Sequence, residues 1–123
     1  MIVAGFGFST RARGESLRDA LQRACDAGGI SAPHALATVD DKANTLAPLG
    51  RALGLPVRAI SHAVLTSQRT QTRSARVAAE RGTGSVAEAA ALAAAGPGAR
   101  LLAPRMHAQD RLASCALAEG DPE

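Results

Sequence analysis

Apolar and polar positions fall along this chain in blocks whose period switches between that of a strand and that of a helix. Met1 to Phe8 is a continuous apolar run with β-branched members and two glycines at its end, the pattern of a parallel strand buried on both faces. A loop from Ser9 to Gly14 follows. Over 15–27 the apolar residues Leu17, Ala20, Leu21, Ala24 and Cys25 recur at helical spacing, and Gly28-Gly29 supplies the stop. Pro33 leads into a brief strand at 34–39, whose end is marked by Asp40-Asp41. Ala43 to Leu53 reads as helical. A proline deep in a helix removes a hydrogen bond, so the regular part is predicted to start near Ala47, with Pro48 in its first turn and Gly54 closing it. Leu55 to Ile60 predicts a third strand, and 62–65 one helical turn after Ser61.

The segment from Thr66 to Ser74 contains no apolar residue and reads as an exposed or ligand-facing loop. Ser85 to Glu88 has capping-box spacing: a serine hydroxyl for the amide three residues on, and a glutamate to reach back. An alanine-rich helix then runs to Ala95, ended by Gly96-Pro97. Two closing strands at 99–103 and 112–118 flank a polar turn around 106–110, and the acidic end from Glu119 to Glu123 is expected to fray. Alternation of strands and helices predicts an α/β fold: a single three-layer domain over 1–118, mostly parallel sheet with helices on both faces and a C-terminal β-hairpin at one edge.

Composition narrows the function classes. With 123 residues and 46% hydrophobic content the chain is sized for one core of moderate volume. Phe6 and Phe8 are its only aromatics, so the core must be aliphatic and closely spaced, and stacking platforms for single-stranded nucleic acid are missing. No apolar run approaches the roughly 20 residues of a membrane-spanning helix, and no basic region precedes the first apolar stretch, which predicts a cytoplasmic location. Cys25 and Cys115 lack metal-ligand or disulfide-framework spacing and read as small buried hydrophobes; no metal or cofactor is predicted. Of the 14 basic residues 13 are arginine, a bias suited to bidentate recognition of carboxylate or phosphate, although it also fits a skewed codon supply. The net charge of +3 equals the contribution of 67–82, where Arg69, Arg73, Arg76 and Arg81 face Glu80.

Ligands of such sheets collect at the carboxyl ends of the parallel strands, which selects three places. Gly5-Phe6-Gly7-Phe8 with Ser9, Thr10 and Arg11 brings backbone and donors close to a ligand, or else forms a tight structural turn. Thr38, Asp40 and Lys42 present a carboxylate and an ammonium at alternating positions, either as an acid/base pair or as a helix cap with a solvated ion pair. Gly82-Thr83-Gly84-Ser85 precedes a helix N-terminus, an arrangement that suits an anion and equally a tight helix entry. His34, His62 and His107 lack the spacing of a metal site or triad and are assigned no chemistry.

Five of these blocks, in order and spacing, resemble the family of CobE and the CbiG C-terminal domain, which belongs to cobalamin biosynthesis. They are Gly5 to Phe8, Ala37 to Ala43, Leu53 to Pro56, Gly82 to Leu92 and Ala113 to Ala118. The resemblance implies a role near ring contraction, as a free-standing binder or carrier of a corrinoid or precorrin intermediate such as hydrogenobyrinic acid, with other pathway enzymes as partners. The alternatives it leaves are a cobalt-precorrin-5A hydrolase-like enzyme, with Asp40 or Lys42 assisting lactone opening, and a protein-docking module. The segment between Lys42 and Gly54 is shorter than in the family, and Ser9-Thr10 stands where the hydrolase form carries basic residues. Such precursors carry carboxylates around a flat apolar ring. The implied contact surface is Gly7, Thr10, Arg11, Thr38, Asp40, Lys42 and the segment 72–85, including Arg73, Arg76, Gly82, Thr83, Gly84 and Ser85, with Arg69, Arg73 or Arg76 on the carboxylates.

Overall fold

The computed structural model describes residues 1–70, 74, 77–78 and 84–120. Its elements are β1 (Ile2–Phe8), α1 (Gly14–Gly28), β2 (Ala35–Val39), a 3₁₀ turn (Asp40–Lys42), α2 (Ala43–Leu53), β3 (Val57–Ile60), α3 (His62–Thr66), α4 (Val86–Ala95), β4 (Arg100–His107) and β5 (Ala113–Glu119). The sheet order is β3-β2-β1-β5-β4. β1, β2 and β3 run parallel, and β5 lies antiparallel on β1 from Ile2↔Glu119 to Phe8↔Ala113. The predicted α/β class and edge hairpin are therefore present, in a mixed sheet of three parallel strands and one antiparallel hairpin.

Strand alternation sends successive β1 side chains to opposite faces. Ala4 and Phe6 join Leu17, Ala20 and Ala24 of α1 and Leu46 and Leu49 of α2 in one core, extended by Cys115 and Leu117 of β5. Val3 faces the other way, into a core with Ala35, Ala37, Val39, Leu65, Ala89 and Ala90. Gly5 and Gly7 share this second face with α4. A Cβ built on Gly5 falls 2.1 Å from the Ala87 carbonyl oxygen and 2.5 Å from the Ala91 nitrogen, so only hydrogen fits there. One on Gly7 meets Val86 Cβ at 3.3 Å. The glycines thus serve neither a dinucleotide-type turn nor a tight turn of any kind. They lie within the strand, where they let an alanine-faced helix sit directly on its backbone.

Several boundaries differ from the sequence prediction, among them the start of β3, which is Val57 rather than Leu55. α2 begins at Ala43, directly after the 3₁₀ turn, and Pro48 lies inside it rather than in its first turn. Pro48 is on the exposed side while Leu46 and Leu49 are buried, so water can satisfy the carbonyl left without a proline N–H. β4 extends to His107, beyond the predicted end at Ala103, because its register on β5 shifts around Pro104. An edge strand tolerates that proline since its outer side needs no ladder partner. Glu119, expected in a frayed end, closes β5 and accepts from Arg100 at 2.8 Å, while the Gly120 amide donates to the Met1 carbonyl at 2.9 Å. Residues 121–123 lie outside the described residues.

The close approach at Gly5 gives a direct test. Gly5→Ala should destabilise the fold by about 3 kcal/mol, whereas Gly7→Ala, whose neighbours can yield by a few tenths of an ångström, should cost about 1 kcal/mol. Urea unfolding of both variants checks the ranking, and equal costs would show that α4 can slide off β1.

Candidate functional site

Three pieces of chain meet where β1 ends: the loop after Phe8, the first turn of α4, and the β4–β5 hairpin. Antiparallel pairing carries the hairpin tip to this end, since Phe8 lies opposite Ala113 and the Ser9 amide donates to the Leu112 carbonyl at 2.9 Å. Between them lies a cleft of about 500 Å³ lined by Gly7 to Thr10, Lys42, Ser74, Val77, Ser85 and Val86 on one side and by Arg105, His107 and Arg111 to Ser114 on the other.

Its polar groups are held in place locally. Lys42 Nζ donates to the Phe8 carbonyl at 2.9 Å and stands 5.1 Å from the centre of the Phe8 ring, a cation–π distance. Ser114 Oγ donates to the Gly7 carbonyl at 3.2 Å. Ser85 Oγ caps α4 by accepting the Glu88 amide at 3.2 Å, as its spacing predicts. The Glu88 side chain is fully buried and reaches β4, where Oε2 accepts the Arg105 amide at 2.9 Å.

The tip from Ala108 to Leu112 is braced against α1. Ser16 Oγ donates to Asp110, Asp110 Oδ1 accepts the Leu112 amide at 2.9 Å, and Asp19 Oδ2 accepts the Gln109 amide at 2.7 Å. The hydrogen bond from Gln109, then that from Arg23, holds the Asp19 carboxyl below its ordinary range. The hydrogen bond from Ser16, then the Leu112 amide, does the same for Asp110. Within this tip Arg111 has φ 62°, the left-handed region, which costs an arginine about 1–2 kcal/mol. The surrounding hydrogen bonds, including its own amide to the Ala108 carbonyl at 2.9 Å, impose that conformation.

Among the described residues, Lys42, Arg105 and Arg111 have no carboxylate partner. His107 registers the resulting field: lost hydration at the cleft wall, then the charges of Arg105 and Arg111, lower its pKa from the ordinary 6.5. Among the described residues the site is thus rich in donors and short of anions, an arrangement suited to anion recognition.

Of the residues the sequence singles out, Gly7, Phe8, Ser9, Thr10, Lys42 and Ser85 line this cleft, with Ser74 and Val77 from the segment 72–85. Arg11 is exposed on the adjoining loop, with its amide on Ser9 Oγ at 3.0 Å. Thr38 is fully buried and donates to the Phe6 carbonyl at 2.9 Å, so it ties β2 to β1 and is not part of the cleft lining. Asp40 is exposed at the head of the 3₁₀ turn, and no ion pair joins it to Lys42. Gly84 is buried, its carbonyl accepting the Ser74 amide at 2.8 Å. Arg73, Arg76, Gly82 and Thr83 lie outside the described residues. Arg69 borders a different cavity of about 710 Å³, between 68–70 and the end of α4. Arg105, His107, Arg111 and Ser114 escape the sequence reading, which looked only to the parallel strands. The signal was the cation density of Pro104-Arg105-Met106-His107 and Asp110-Arg111 at a hairpin tip.

Comparison with known proteins agrees with this architecture. Residues 2–118 match the family model described as Cobalamin synthesis G C-terminus. The chain is similar to the crystal structure of CobE, a protein from the cobalamin (vitamin B12) biosynthetic pathway: 38% identity, TM-score 0.87, with 100% of this chain and 92% of that one covered. It is also similar to cobalamin biosynthesis protein chiG from Agrobacterium tumefaciens, at 32% identity and TM-score 0.76 over 99% of this chain and 100% of that one. A putative cobalamin biosynthesis protein G homolog from Sulfolobus solfataricus shares the fold at 17% identity and TM-score 0.71; the match covers 99% of this chain and 37% of that one. No curated protein matches the chain.

Two outcomes follow from the electrostatics. Carboxyls with depressed folded-state values contribute stability that is fully present above the ordinary value of 3.8 and is lost as pH falls through the folded values. Amide exchange at Gln109 and Leu112 should therefore quicken, relative to β1, between about pH 4 and pH 2, and uniform behaviour would remove the brace. The His107 ring should titrate below 6.5 in an NMR experiment and move upward in Arg111→Asn, whose asparagine tolerates the left-handed backbone.

Proposed function

The chain belongs to the Cobalamin synthesis G C-terminus family and is a protein of cobalamin biosynthesis, and from that premise we propose that it binds a polycarboxylate corrinoid or precorrin intermediate in the cleft at the end of β1. The supporting observation is the set Lys42, Arg105 and Arg111, cations without carboxylate partners among the described residues, around one cleft. A carboxylate is the partner such donors lack, and guanidinium groups meet it in bidentate fashion. Phe8, Val86 and Leu112 add apolar surface for the ring between them. Arg73 and Arg76 stay in the proposal as further carboxylate contacts on the sequence argument alone.

A role as carrier or accessory factor in a cytoplasmic pathway fits this cleft better than turnover. A macrocycle with several acid side chains exceeds a 500 Å³ cleft, so part of the ring stays outside and accessible to the pathway enzyme that takes it next. The hydrolase alternative needs an acid or base poised on the substrate. Lys42 is engaged by the Phe8 carbonyl and ring, and Asp40 stands exposed outside the cleft lining.

Hydrogenobyrinic acid, followed by its visible absorption, is the probe of choice. The protein should bind it without releasing a small fragment, and Arg105→Gln with Arg111→Gln should weaken binding about tenfold and flatten its salt dependence. A fully amidated ring should bind much more weakly. Affinity for the acid form should rise as pH drops through the lowered His107 value, since protonation adds a cation to the cleft. No spectral change with any acid macrocycle would overturn this reading in favour of a protein partner, and release of a fragment would make the protein an enzyme.

A further inference from the structure

The same cleft contains a second layer of design, and the inference drawn from it rests on the binding role proposed above. Glu88 is a carboxylate with no exposed surface, one turn into a helix otherwise made of alanine, valine and leucine. Burying such a group is costly unless hydrogen bonds compensate, so its retention calls for a local reason. Oε2 accepts the backbone amide of Arg105 at 2.9 Å. That amide belongs to the irregular stretch of β4, where the register on β5 shifts between Ala103 and Met106 and where Pro104 has no N–H to offer. A bulge left to itself exposes an unpaired amide and can settle in more than one way. The bond from Glu88 selects one arrangement, and it does so from the α4 turn whose Ser85 and Val86 form the facing wall of the cleft.

We propose that Glu88 is a positioning residue: through the Arg105 amide it fixes the β4 bulge so that Arg105 and His107 face the anion cleft, and it thereby sets the spacing between the two walls. The contact passes through the backbone, so it leaves the Arg105 guanidinium available for ligand. The acceptor oxygen and the length of the side chain are what this contact requires.

Glu88→Gln and Glu88→Asp separate these requirements. Glutamine keeps the length and an acceptor oxygen; aspartate keeps the charge but is one methylene short. The first readout needs no ligand: NMR titration of His107, whose pKa is lowered in part by Arg105 and which also faces Arg111. In Glu88→Asp the ring should titrate closer to 6.5 as Arg105 is released, while Glu88→Gln keeps the native value. The second readout is hydrogenobyrinic acid binding, expected to weaken about tenfold in Glu88→Asp and less than about twofold in Glu88→Gln. Native His107 titration in a folded Glu88→Asp protein overturns the proposal, and so does a disturbance in Glu88→Gln as large as that in Glu88→Asp, since glutamine keeps both the length and the acceptor oxygen. Should the unaltered protein fail to bind any macrocycle, the carboxylate-carrier reading falls while the His107 titration still decides the role of Glu88.

Discussion

The missing side chain at Gly5 is the constraint on which the rest of the structure depends. With a hydrogen there, the Ala87 carbonyl and the Ala91 amide of α4 come within about one atom of the β1 backbone, closer than any pair of side-chain-bearing elements can approach. Alanine on the helix completes the fit, as Ala89 and Ala90 fill the second core without pushing the layers apart. The position of α4 then determines two things at once. Its first turn, with Ser85 and Val86, forms one wall of the cleft at the end of β1, and Glu88 comes within hydrogen-bonding reach of β4. A residue with no side chain in the middle of a strand thus sets the geometry of polar groups well away from it.

The opposite wall is made rigid by a different means. The hairpin tip is a loop that bears cations, and like charges held together repel. Two carboxylates outside the cleft lining fix it through hydrogen bonds: Asp110 accepts the Leu112 amide within the tip, and Asp19 accepts the Gln109 amide from α1. Both receive hydrogen bonds that favour their ionised form. The two carboxylates bond backbone amides of the tip, while Arg105 and Arg111 keep no carboxylate partner among the described residues. The left-handed backbone at Arg111 has the same logic, since a strained arginine persists only where neighbouring bonds over-determine it, and here they do.

Much of this was legible in the sequence. The buried parallel strand, the amphipathic first helix with its glycine stop, the serine-capped alanine helix and the edge hairpin all declared themselves through period and punctuation. Lys42 and Ser85 were found because they follow parallel strands or precede a helix, the places where ligands collect. What escaped had a common cause. Gly5-Phe6-Gly7-Phe8 carries a turn-like signature, and nothing local reveals that a helix 80 residues later needs the space. Arg105, His107 and Arg111 were read as a polar turn, since only the antiparallel return of β5 along β1 brings that turn to the ligand end. Each miss was a long-range contact, and no periodicity encodes those.

The two walls together suggest why a cleft of this kind suits transfer better than storage. A deep enclosed pocket would desolvate each ion pair fully, making release slow and costly. Here the cations stand at a rim, with Arg111 and His107 exposed, so on the proposed role a ligand's carboxylates would exchange water for guanidinium without entering a dry interior. Rim charges mainly accelerate encounter and enforce selectivity, and contribute less to residence time. A reactive macrocycle handed between enzymes needs that balance: rapid capture, discrimination by charge, and one side of the ring left open. The fold is compatible with that balance: its constraints lie in the backbone beneath the cleft, through Gly5, Glu88 and the hydrogen bonds of Asp19 and Asp110, while the cleft's cations stay at the water's edge.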